Sequence, residues 1–365
     1  MYTGPNIVKD NTLLYFDIGN VKSSVGEPTT NLLYNSGATN LSAGTDIYGK
    51  CTKTYLGGGK YRFVNNGTGV SAIRLYTNLS DLTNGYSYLV SVYYKDLTRG
   101  SISIDWCDSA VTGGISSSSL KENRLYGSSI RANNAYNFLD INLDSGASVT
   151  LYGDQVEYKT NVTPFVNGVR SVTQGLVPLL SQSKTSLDLT NMSYDSNSQL
   201  TFNGSSNNIK ISDSIYNRTT GDELTICTVI KPGRNGGQYQ DIVVNRSDTL
   251  YNWMLFQHTT DGSIQLHGAA QNKSTYIPTI GQYIHVAATV TSTGVYTLYI
   301  NGVVKQTVTG YTYNLVTPSL LCVGCFGSGQ EPYLGKIDLV KIHTRAFTQA
   351  EVIQDYNAVK ARFNI

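Results

Sequence analysis

Apolar and polar residues alternate with a period of two in short segments along most of the chain. The alternation runs through residues 86–94, 101–106 and 295–300, and Gly, Asn, Asp and Ser bound these segments. Because successive side chains of a strand point to opposite faces, each segment has one apolar face and one polar face. The pattern predicts half-buried antiparallel strands.

A β-hairpin is predicted where the third of these segments ends. Asn301 and Gly302 separate residues 296–300 from a second β-prone run, 303–307. Asn-Gly accommodates the two positive φ angles of a type I′ turn, whose twist matches that of paired strands.

A single helix of useful length is predicted, and it closes the chain. Thr348 and Glu351 have the spacing of a capping box, in which the two side chains satisfy backbone N–H groups of the first turn. Val352, Tyr356 and Val359 then form one apolar stripe over about three turns. We expect this helix to pack against a sheet.

Composition favours an all-β fold. Charged residues make up 14% of the chain against an ordinary share of about 25%, whereas Gly (35 residues) and Tyr (27 residues) are abundant. Too few Glu, Lys and Arg residues remain to cover many helices, which argues against all-α and doubly wound α/β folds. The length of 365 residues exceeds the roughly 250–300 at which one core stops growing, so two domains are expected.

Charge and hydropathy exclude several classes of partner. Lys plus Arg (27) exceed Asp plus Glu (25) by 2, and no basic run occurs, so neither a nucleic acid nor an anionic membrane is an expected partner. No segment has the roughly 18 consecutive apolar residues of a membrane span, and 1–5 lacks the features of a secretory signal. We expect synthesis in a cytoplasm and five reduced, mostly buried cysteines.

Four strand-like blocks follow one another in the C-terminal part of the chain. They are Leu224–Ile230, Tyr283–Thr289, Tyr296–Gly302 and Tyr333–Ile342, and the phrase Thr344–Glu351 follows them. In this order they resemble the concanavalin-A-like, laminin-G-type lectin sandwich, in which a phrase similar to Thr344–Glu351 precedes the closing helix.

The earlier strands of the same family are recognisable in two separated pieces. Leu200–Gly204 with Asn208–Ile211 resembles the strand that precedes the core sheet. Leu13–Asp17 with Asn20–Ser23 resembles the opening strand. The resemblance therefore implies a discontinuous lectin-like domain with a second domain inserted after its first strand.

The inserted domain resembles the jelly rolls of carbohydrate-binding modules. The likeness lies in 147–157, which is similar to the last strand of such modules, and 165–171 resembles the return linker of nested bacteriophage virion proteins. We therefore predict two antiparallel β-sandwich or jelly-roll domains. The lectin-like sandwich comprises 1–28 and 166–365, and the inserted jelly roll comprises 29–165.

Catalytic motifs are not apparent in the sequence. Glucanases with the lectin-like fold carry two glutamates around an aspartate on one strand, and a retaining mechanism needs two carboxylates roughly 5–5.5 Å apart. The nearest match here has Lys336 and Lys341 on either side of Asp338. The histidines show no HExxH-type metal spacing, and Cys322-Val-Gly-Cys325 lacks the second pair that a structural zinc requires. We therefore predict a protein that is not an enzyme.

Aromatic residues are the candidates for sugar contacts, since sugars stack their C–H faces on rings. In the insert the candidates are Trp106, Tyr93 and Tyr152, and in the lectin-like domain they are Trp253 and Tyr251. The same residue types also fill sandwich cores.

No cofactor is required by the residues, but calcium is common in both families that the chain resembles. Its candidate ligands are Asp17, Asp140 and Asp154. Aspartates in loops also make ordinary turn hydrogen bonds.

The resemblance implies a structural protein on the surface of a phage particle, as a capsid decoration, a fibre or a tail-associated protein. Its implied partners are copies of itself, with a trimer favoured, other virion proteins such as the major capsid or tail protein, and cell-surface glycans. The alternative is a secreted or cell-surface glycan-binding module, either an adhesin or the accessory part of a carbohydrate-active enzyme, with an extracellular location. An unusual hydrolase is a third hypothesis.

Overall fold

A computed structural model of the chain describes residues 7–20, 22–34, 41–77, 82–83, 85–106, 109–116, 123–130, 137–159, 163, 169–183, 185–195, 199–247, 250–318, 320–326 and 329–365. These residues form two compact units. The unit that we call the terminal unit draws on Met1–Gly26, Val172–Asp195 and Gln199–Ile365, and the inserted unit draws on Glu27–Ser171.

The regular elements are almost all strands. In chain order they are β1 (Thr12–Asp17), β2 (Thr29–Thr30), β3 (Thr45–Asp46), β4 (Cys51–Gly57), β5 (Lys60–Asn65), β6 (Ser71–Tyr76), β7 (Ser87–Thr98), β8 (Ser101–Trp106), β9 (Ser109–Ser116), β10 (Asn123–Ile130), β11 (Phe138–Leu143), β12 (Ser148–Glu157), β13 (Val169–Arg170), β14 (Leu180–Ser181), β15 (Ser193–Tyr194), β16 (Leu200–Asn203), β17 (Ile209–Ile211), β18 (Leu224–Pro232), β19 (Gln240–Arg246), β20 (Tyr251–Gln257), β21 (Ile264–His267), β22 (Gln271–Lys273), β23 (Ile284–Val290), β24 (Tyr296–Ile300), β25 (Val303–Val308), β26 (Leu321–Val323) and β27 (Leu334–His343). Short 3-10 helices span Leu32–Tyr34 and Ser214–Tyr216, and the α-helix α1 spans Gln349–Phe363. The predicted all-β fold with a closing helix is confirmed.

The terminal unit is a sandwich of two antiparallel sheets. A nine-stranded sheet follows the order β14-β1-β27-β18-β23-β24-β25, with β16 paired to β27 and β15 to β16. A six-stranded sheet follows the order β17-β26-β19-β20-β21-β22. Apolar side chains from both sheets meet in one core, for example Phe16 and Ile226 from the first and Val243 and Leu255 from the second.

Helix α1 covers the other face of the nine-stranded sheet. Its residue Val352 packs with Cys227 and Ala287, and Val359 packs with Leu339. The helix begins with the predicted capping box, because the Thr348 hydroxyl accepts from the Glu351 backbone N–H while the Glu351 carboxylate accepts from the Thr348 backbone N–H. Both faces of the nine-stranded sheet are therefore packed against other elements of the terminal unit.

The inserted unit contains two five-stranded antiparallel sheets and a short two-stranded one. The five-stranded sheets have the orders β10-β7-β12-β5-β4 and β3-β6-β11-β8-β9, and β13 pairs with β2. Its core contains the apolar sides of the strands predicted from alternation, including Val90 and Val92 of β7 and Ile102, Ile104 and Trp106 of β8.

The predicted hairpin turn is also confirmed. Strands β24 and β25 are neighbours in the nine-stranded sheet. Asn301 and Gly302, which connect them, have φ angles of 51° and 76°. Both values lie in the left-handed region that a type I′ turn requires.

The cysteine prediction is confirmed for the residues that the structure describes. Cys227, Cys322 and Cys325 are free thiols in buried positions, and Cys51 is free and half-buried. The fifth, Cys107, lies outside the described residues.

Candidate binding pocket on the six-stranded sheet

Strands β19 and β20 place different side chains on the two faces of the six-stranded sheet. Trp253 and Leu255 point into the sandwich core. Met254 and Phe256 point the other way, where they form a separate apolar cluster with Val244 and residues of the β26 region. This outer face therefore carries apolar side chains that the core does not use.

A pocket of about 180 Å³ opens on this outer face. It lies where β19, β20 and β21 meet the loop that precedes β27. Its lining combines rings, a thioether, a cation and a carboxylate: Tyr239, Arg246, Tyr251, Met254, Phe256, His267 and Glu331.

The rings of the pocket hold one another in edge and tilted contacts. Tyr239 meets Phe256 edge to face, with centroids 5.7 Å apart, and Tyr251 tilts against His267 at 5.0 Å. Such contacts fix ring orientation and contribute beyond their buried area. The pocket therefore has rigid apolar walls.

An ion pair occupies one side of the pocket. Arg246 Nη1 lies 2.7 Å from Glu331 Oε2, and the two residues are 85 positions apart in sequence. The guanidinium of Arg246 also lies 3.5 Å from the centroid of the Phe326 ring. The Arg246 cation therefore has both a ring contact and a hydrogen-bonded carboxylate, and Glu331 presents that carboxylate at the pocket wall.

A second carboxyl group lies close to Glu331. Asp241 pairs across the ladder with Phe256, so its side chain shares the outer face, and its backbone N–H donates to the Glu331 carbonyl at 2.9 Å. Asp241 is 0% exposed, and its carboxyl group shares a side-chain hydrogen bond with Glu331. Burial, followed by the nearby charge of Glu331, raises the pKa of Asp241 well above its ordinary value.

His267 adds a neutral polar group. Burial lowers its pKa below 6.5, and the charge of Arg246 lowers it further, so the ring is uncharged at pH 7. Its Nδ1 is buried and has no hydrogen-bond partner among the described residues.

Two of the predicted sugar contacts are core residues instead. Trp253 and Trp106 are each 0% exposed. Trp253 donates its indole N–H to the Tyr216 carbonyl at 3.0 Å, and Trp106 packs beside Tyr88 with ring centroids 5.7 Å apart. The prediction was wrong for both because alternation turns these indoles inward, where no sugar reaches them.

The other three predicted contacts have different surroundings. Tyr251 lines the pocket described above. In the inserted unit, Tyr93 and Tyr152 are half-buried and stacked, with centroids 5.5 Å apart and planes at 22°. Arg124 lies over the Tyr93 ring and Lys60 over the Tyr152 ring, at 4.8 Å and 5.1 Å. The structure thus brings the tyrosines of the insert together, and a sugar contact there stays a prediction.

The three aspartates predicted as calcium ligands lie on different strands. Asp17 is buried and pairs with Arg362 at 2.7 Å. Asp140 accepts two hydrogen bonds from Arg74, at 2.7 Å and 2.6 Å. Asp154 is buried in β12. The two arginines supply the positive charge next to Asp17 and Asp140, and calcium binding stays a prediction.

One cluster within the described ranges has the spacing of metal ligands. It consists of Cys227, His285 and Asp355, all buried between α1 and the nine-stranded sheet. The Lys341 ammonium pairs directly with Asp355. Because this ammonium supplies the positive charge that a metal ion would bring, the cluster does not fit a metal and is a buried polar network.

Sequence reasoning found one residue of the pocket, Tyr251, and missed the others. Arg246 and Glu331 come from segments far apart in sequence, so their pairing has no local signal. Residues 253–256 form a continuous apolar run, so a period of two does not indicate whether Trp253 and Leu255 or Met254 and Phe256 face the core.

Comparisons with known proteins agree with the sandwich fold of the terminal unit. Residues 202–353 match the family model Laminin_G_3, described as the concanavalin A-like lectin/glucanases superfamily. This part of the terminal unit is therefore similar to the concanavalin A-like lectin/glucanases superfamily. No curated protein matches at a significant level.

Solved structures similar to this chain include two domains of other proteins. One is domain 4 of AbnA, a GH43 extracellular arabinanase from Geobacillus stearothermophilus, in complex with arabinotriose (16% identity, TM-score 0.35, 48% of this chain and 83% of that chain). The other is the binding domain of Paraclostridial Mosquitocidal Protein 1 (18% identity, TM-score 0.41, 50% of this chain and 49% of that chain). The chain thus spans about half of the second protein's resolved length.

No helix in the described ranges is both long enough and apolar enough to cross a bilayer.

Proposed function

We propose that this protein is a non-enzymatic glycan-binding protein, and that its terminal unit binds sugar in the pocket on the six-stranded sheet. The observation that carries the proposal is the combination of Tyr239, Tyr251 and His267 with the Glu331 carboxylate in one open pocket. Rings receive the apolar C–H face of a sugar, and the carboxylate and imidazole bind its hydroxyl groups. The match of residues 202–353 to a lectin and glucanase superfamily supports this use.

The size of the pocket restricts what it binds. Its volume of about 180 Å³ is below the roughly 300–1,000 Å³ of sites for drug-sized ligands. We therefore propose that it holds one sugar ring, at the end or at a branch of a glycan, rather than a long chain segment.

Binding without hydrolysis is favoured by the state of the carboxyl groups. Lys336 and Lys341 stand where the catalytic glutamates of glucanases would lie relative to Asp338. In the pocket itself, Glu331 is held by Arg246 and Asp241 is fully buried. Neither arrangement provides the solvent-accessible acid and nucleophile that a glycosidase requires.

The test is a glycan array probed with the purified full-length chain, with and without calcium. The proposal predicts binding to a defined set of glycans that is weakened in the variant Tyr251→Ala. A matched control is Tyr55→Ala, which removes an exposed tyrosine of the inserted unit. Absence of binding to any glycan under either condition would contradict the proposal.

We further propose, from the sequence resemblance, that this binding protein is carried on the surface of a phage particle as a trimer. The low share of charged residues fits a surface that packs against neighbouring copies, because burying charges is costly. Native mass spectrometry would measure the oligomer, and an electron-microscopy map of purified particles would locate the chain. A chain that is monomeric and absent from particles would favour the secreted or cell-surface module instead.

A further inference from the structure

The rings of the pocket form a cup rather than one flat platform. Ring contacts join Tyr239 to Phe256, Phe256 to His267 and His267 to Tyr251, with centroids 5.7, 6.1 and 5.0 Å apart. The planes of these pairs are inclined at 67°, 48° and 42°. Rings that are inclined toward one another can enclose a small apolar group, whereas the C–H face of a sugar needs a single flat ring. The cup therefore has the shape for an apolar substituent of a sugar.

The floor of the cup is apolar as well. Met254 and Phe256 line the pocket, are 6% and 2% exposed, and pack with Val244, Cys322 and Phe326 below them. A phenyl ring offers no hydrogen bond of ordinary strength, and a thioether sulfur is only a weak acceptor. A sugar hydroxyl pressed against this floor would lose its bonds to water without replacement. A methyl group meets no such cost, and its burial is favourable.

The ionisable groups around the cup balance one another. Asp241 and Glu331 share a hydrogen bond, and two ionised carboxylates have no proton to donate, so one of the two groups keeps a proton. The single negative charge that remains is balanced by Arg246, whose Nη1 lies 2.7 Å from Glu331 Oε2. His267 is neutral at pH 7, because burial and the charge of Arg246 lower its pKa. The pocket is therefore suited to a neutral ligand.

The ion pair at the rim matches the two polar groups of an amide. The side chains of Arg246 and Glu331 both line the pocket and are 16% and 27% exposed, so a ligand can reach them. A carboxylate has about four acceptor positions, and a guanidinium has five N–H donors. The hydrogen bonds of Arg246 to Glu331 and Met254 both start from Nη1. The rim can therefore accept from an amide N–H and donate to an amide carbonyl.

We propose that the pocket selects sugars that carry an N-acetyl group, with the acetyl methyl in the cup and the amide between Glu331 and Arg246. The inference rests on the proposed function, since it specifies the sugar that the same pocket binds. The ligand is then a neutral N-acetylhexosamine, whose C–H face is left for the half-buried Tyr251. Glucose has neither the methyl nor the amide. Glucosamine lacks the methyl and brings a positive charge into a site that is already balanced.

The experiment compares three oligosaccharides of equal length by isothermal titration calorimetry with the full chain at pH 7. They are an N-acetylglucosamine oligomer, a glucosamine oligomer and a glucose oligomer. We expect the first to bind at least about tenfold more tightly than the other two, the combined effect of one buried methyl group and one hydrogen bond. Equal affinity for the three, or tighter binding of the glucosamine oligomer, would overturn the proposal and leave glycan binding intact.

The variant Tyr239→Ser opens one wall of the cup. Its preference for the N-acetylated oligomer should fall to about threefold or less, while its affinity for the glucose oligomer stays within about twofold of the original. The matched control is Tyr55→Ser, which changes a tyrosine of the inserted unit that is 60% exposed. The control should keep the full preference. A preference that is unchanged in Tyr239→Ser, or reduced equally in both variants, would contradict the proposed position of the methyl group.

A second measurement needs no variant and decides the matter if Tyr239→Ser does not fold. Saturation-transfer difference NMR with the original chain and the N-acetylglucosamine oligomer shows which ligand protons lie closest to the protein. We expect the acetyl methyl protons to receive the strongest saturation. Stronger saturation of the ring protons than of the methyl protons would overturn the proposal.

The glycan array separates this inference from the proposed function. Bound glycans that all carry an N-acetylhexosamine would support the inference, even if their linkage differs from that of the three oligomers. Bound glycans without any N-acetyl group would overturn the inference and leave the proposed function intact. A silent array, together with no binding of the three oligomers, would overturn both.

Discussion

The ammonium of Lys341 and the carboxylate of Asp355 form an ion pair that is closed off from solvent between the nine-stranded sheet and helix α1. Lys341 is 1% exposed and Asp355 is 0% exposed. Asp355 also lies 3.2 Å from His285 Nε2. Burial is the largest influence on the pKa of Asp355 and raises it, but the charge of Lys341 and the hydrogen bond with His285 outweigh burial, so the pKa lies far below its ordinary value. The pair ties the closing helix to the sheet.

Removing one member of this pair should destabilise the terminal unit strongly. In Lys341→Met the Asp355 carboxylate stays buried without its main partner, and such changes cost about 3–5 kcal/mol. Replacing both residues, as in Lys341→Met with Asp355→Leu, should restore most of the loss, because a buried pair often contributes little net stability.

Urea unfolding followed by circular dichroism measures both effects. A single variant as stable as the original chain would show that the ion pair does not hold the helix. A double variant less stable than either single variant would show that the network of His285 and Cys227 depends on the pair.

The free energy of unfolding should decrease at acidic pH because of His343. This side chain is buried, and burial is the largest influence that lowers its pKa from 6.5 to about 4. In the unfolded chain the imidazole takes up a proton as the pH falls through 6.5, whereas in the folded protein it does so only near pH 4. The unfolded state therefore binds more protons between these values, and up to about 3 kcal/mol of stability is lost as the pH falls from 6.5 to 4.

The variant His343→Gln isolates this effect. It keeps a neutral polar group that can bond to the Asp10 carbonyl, which lies 3.1 Å from His343 Nδ1. The difference in unfolding free energy between the original chain and the variant should shrink from pH 7 to pH 4. A difference that is constant over this range would mean that His343 takes up its proton without cost to the fold.

The two tryptophans should act as core residues. Trp253→Ala and Trp106→Ala each remove a fully buried side chain, and substitutions of this kind cost about 3–5 kcal/mol. The loss should appear as a lower unfolding midpoint in urea.

Trp253→Phe should retain sugar binding at temperatures where it stays folded. Loss of binding by a folded Trp253→Phe would show that the indole supports the pocket through its neighbours Met254 and Phe256.

The fold was largely predictable because its signals are local. A few neighbouring residues determine each of these features: the alternation in β7, β8 and β24, the Asn301-Gly302 turn and the Thr348–Glu351 cap. The direction in which a ring points was not predictable from residue type, since Trp253 and Tyr251 lie two positions apart and only one lines the pocket. Pairs such as Arg246 with Glu331 or Lys341 with Asp355 depend on which strands become neighbours, and that information is absent from either local sequence.

Sugar binding should depend on the ring of Tyr251. This residue is half-buried, lines the pocket and tilts against His267 at 5.0 Å. Because ring contacts of this kind contribute about 0.5–1.5 kcal/mol, Tyr251→Ala should weaken the binding of a preferred glycan by roughly twofold to tenfold. Tyr251→Phe keeps the ring, so its affinity for the glycan should decrease less than that of Tyr251→Ala. Titration calorimetry with both variants distinguishes stacking from a hydroxyl contact, and equal losses in the two variants would show that the hydroxyl group of Tyr251, rather than its ring, holds the sugar.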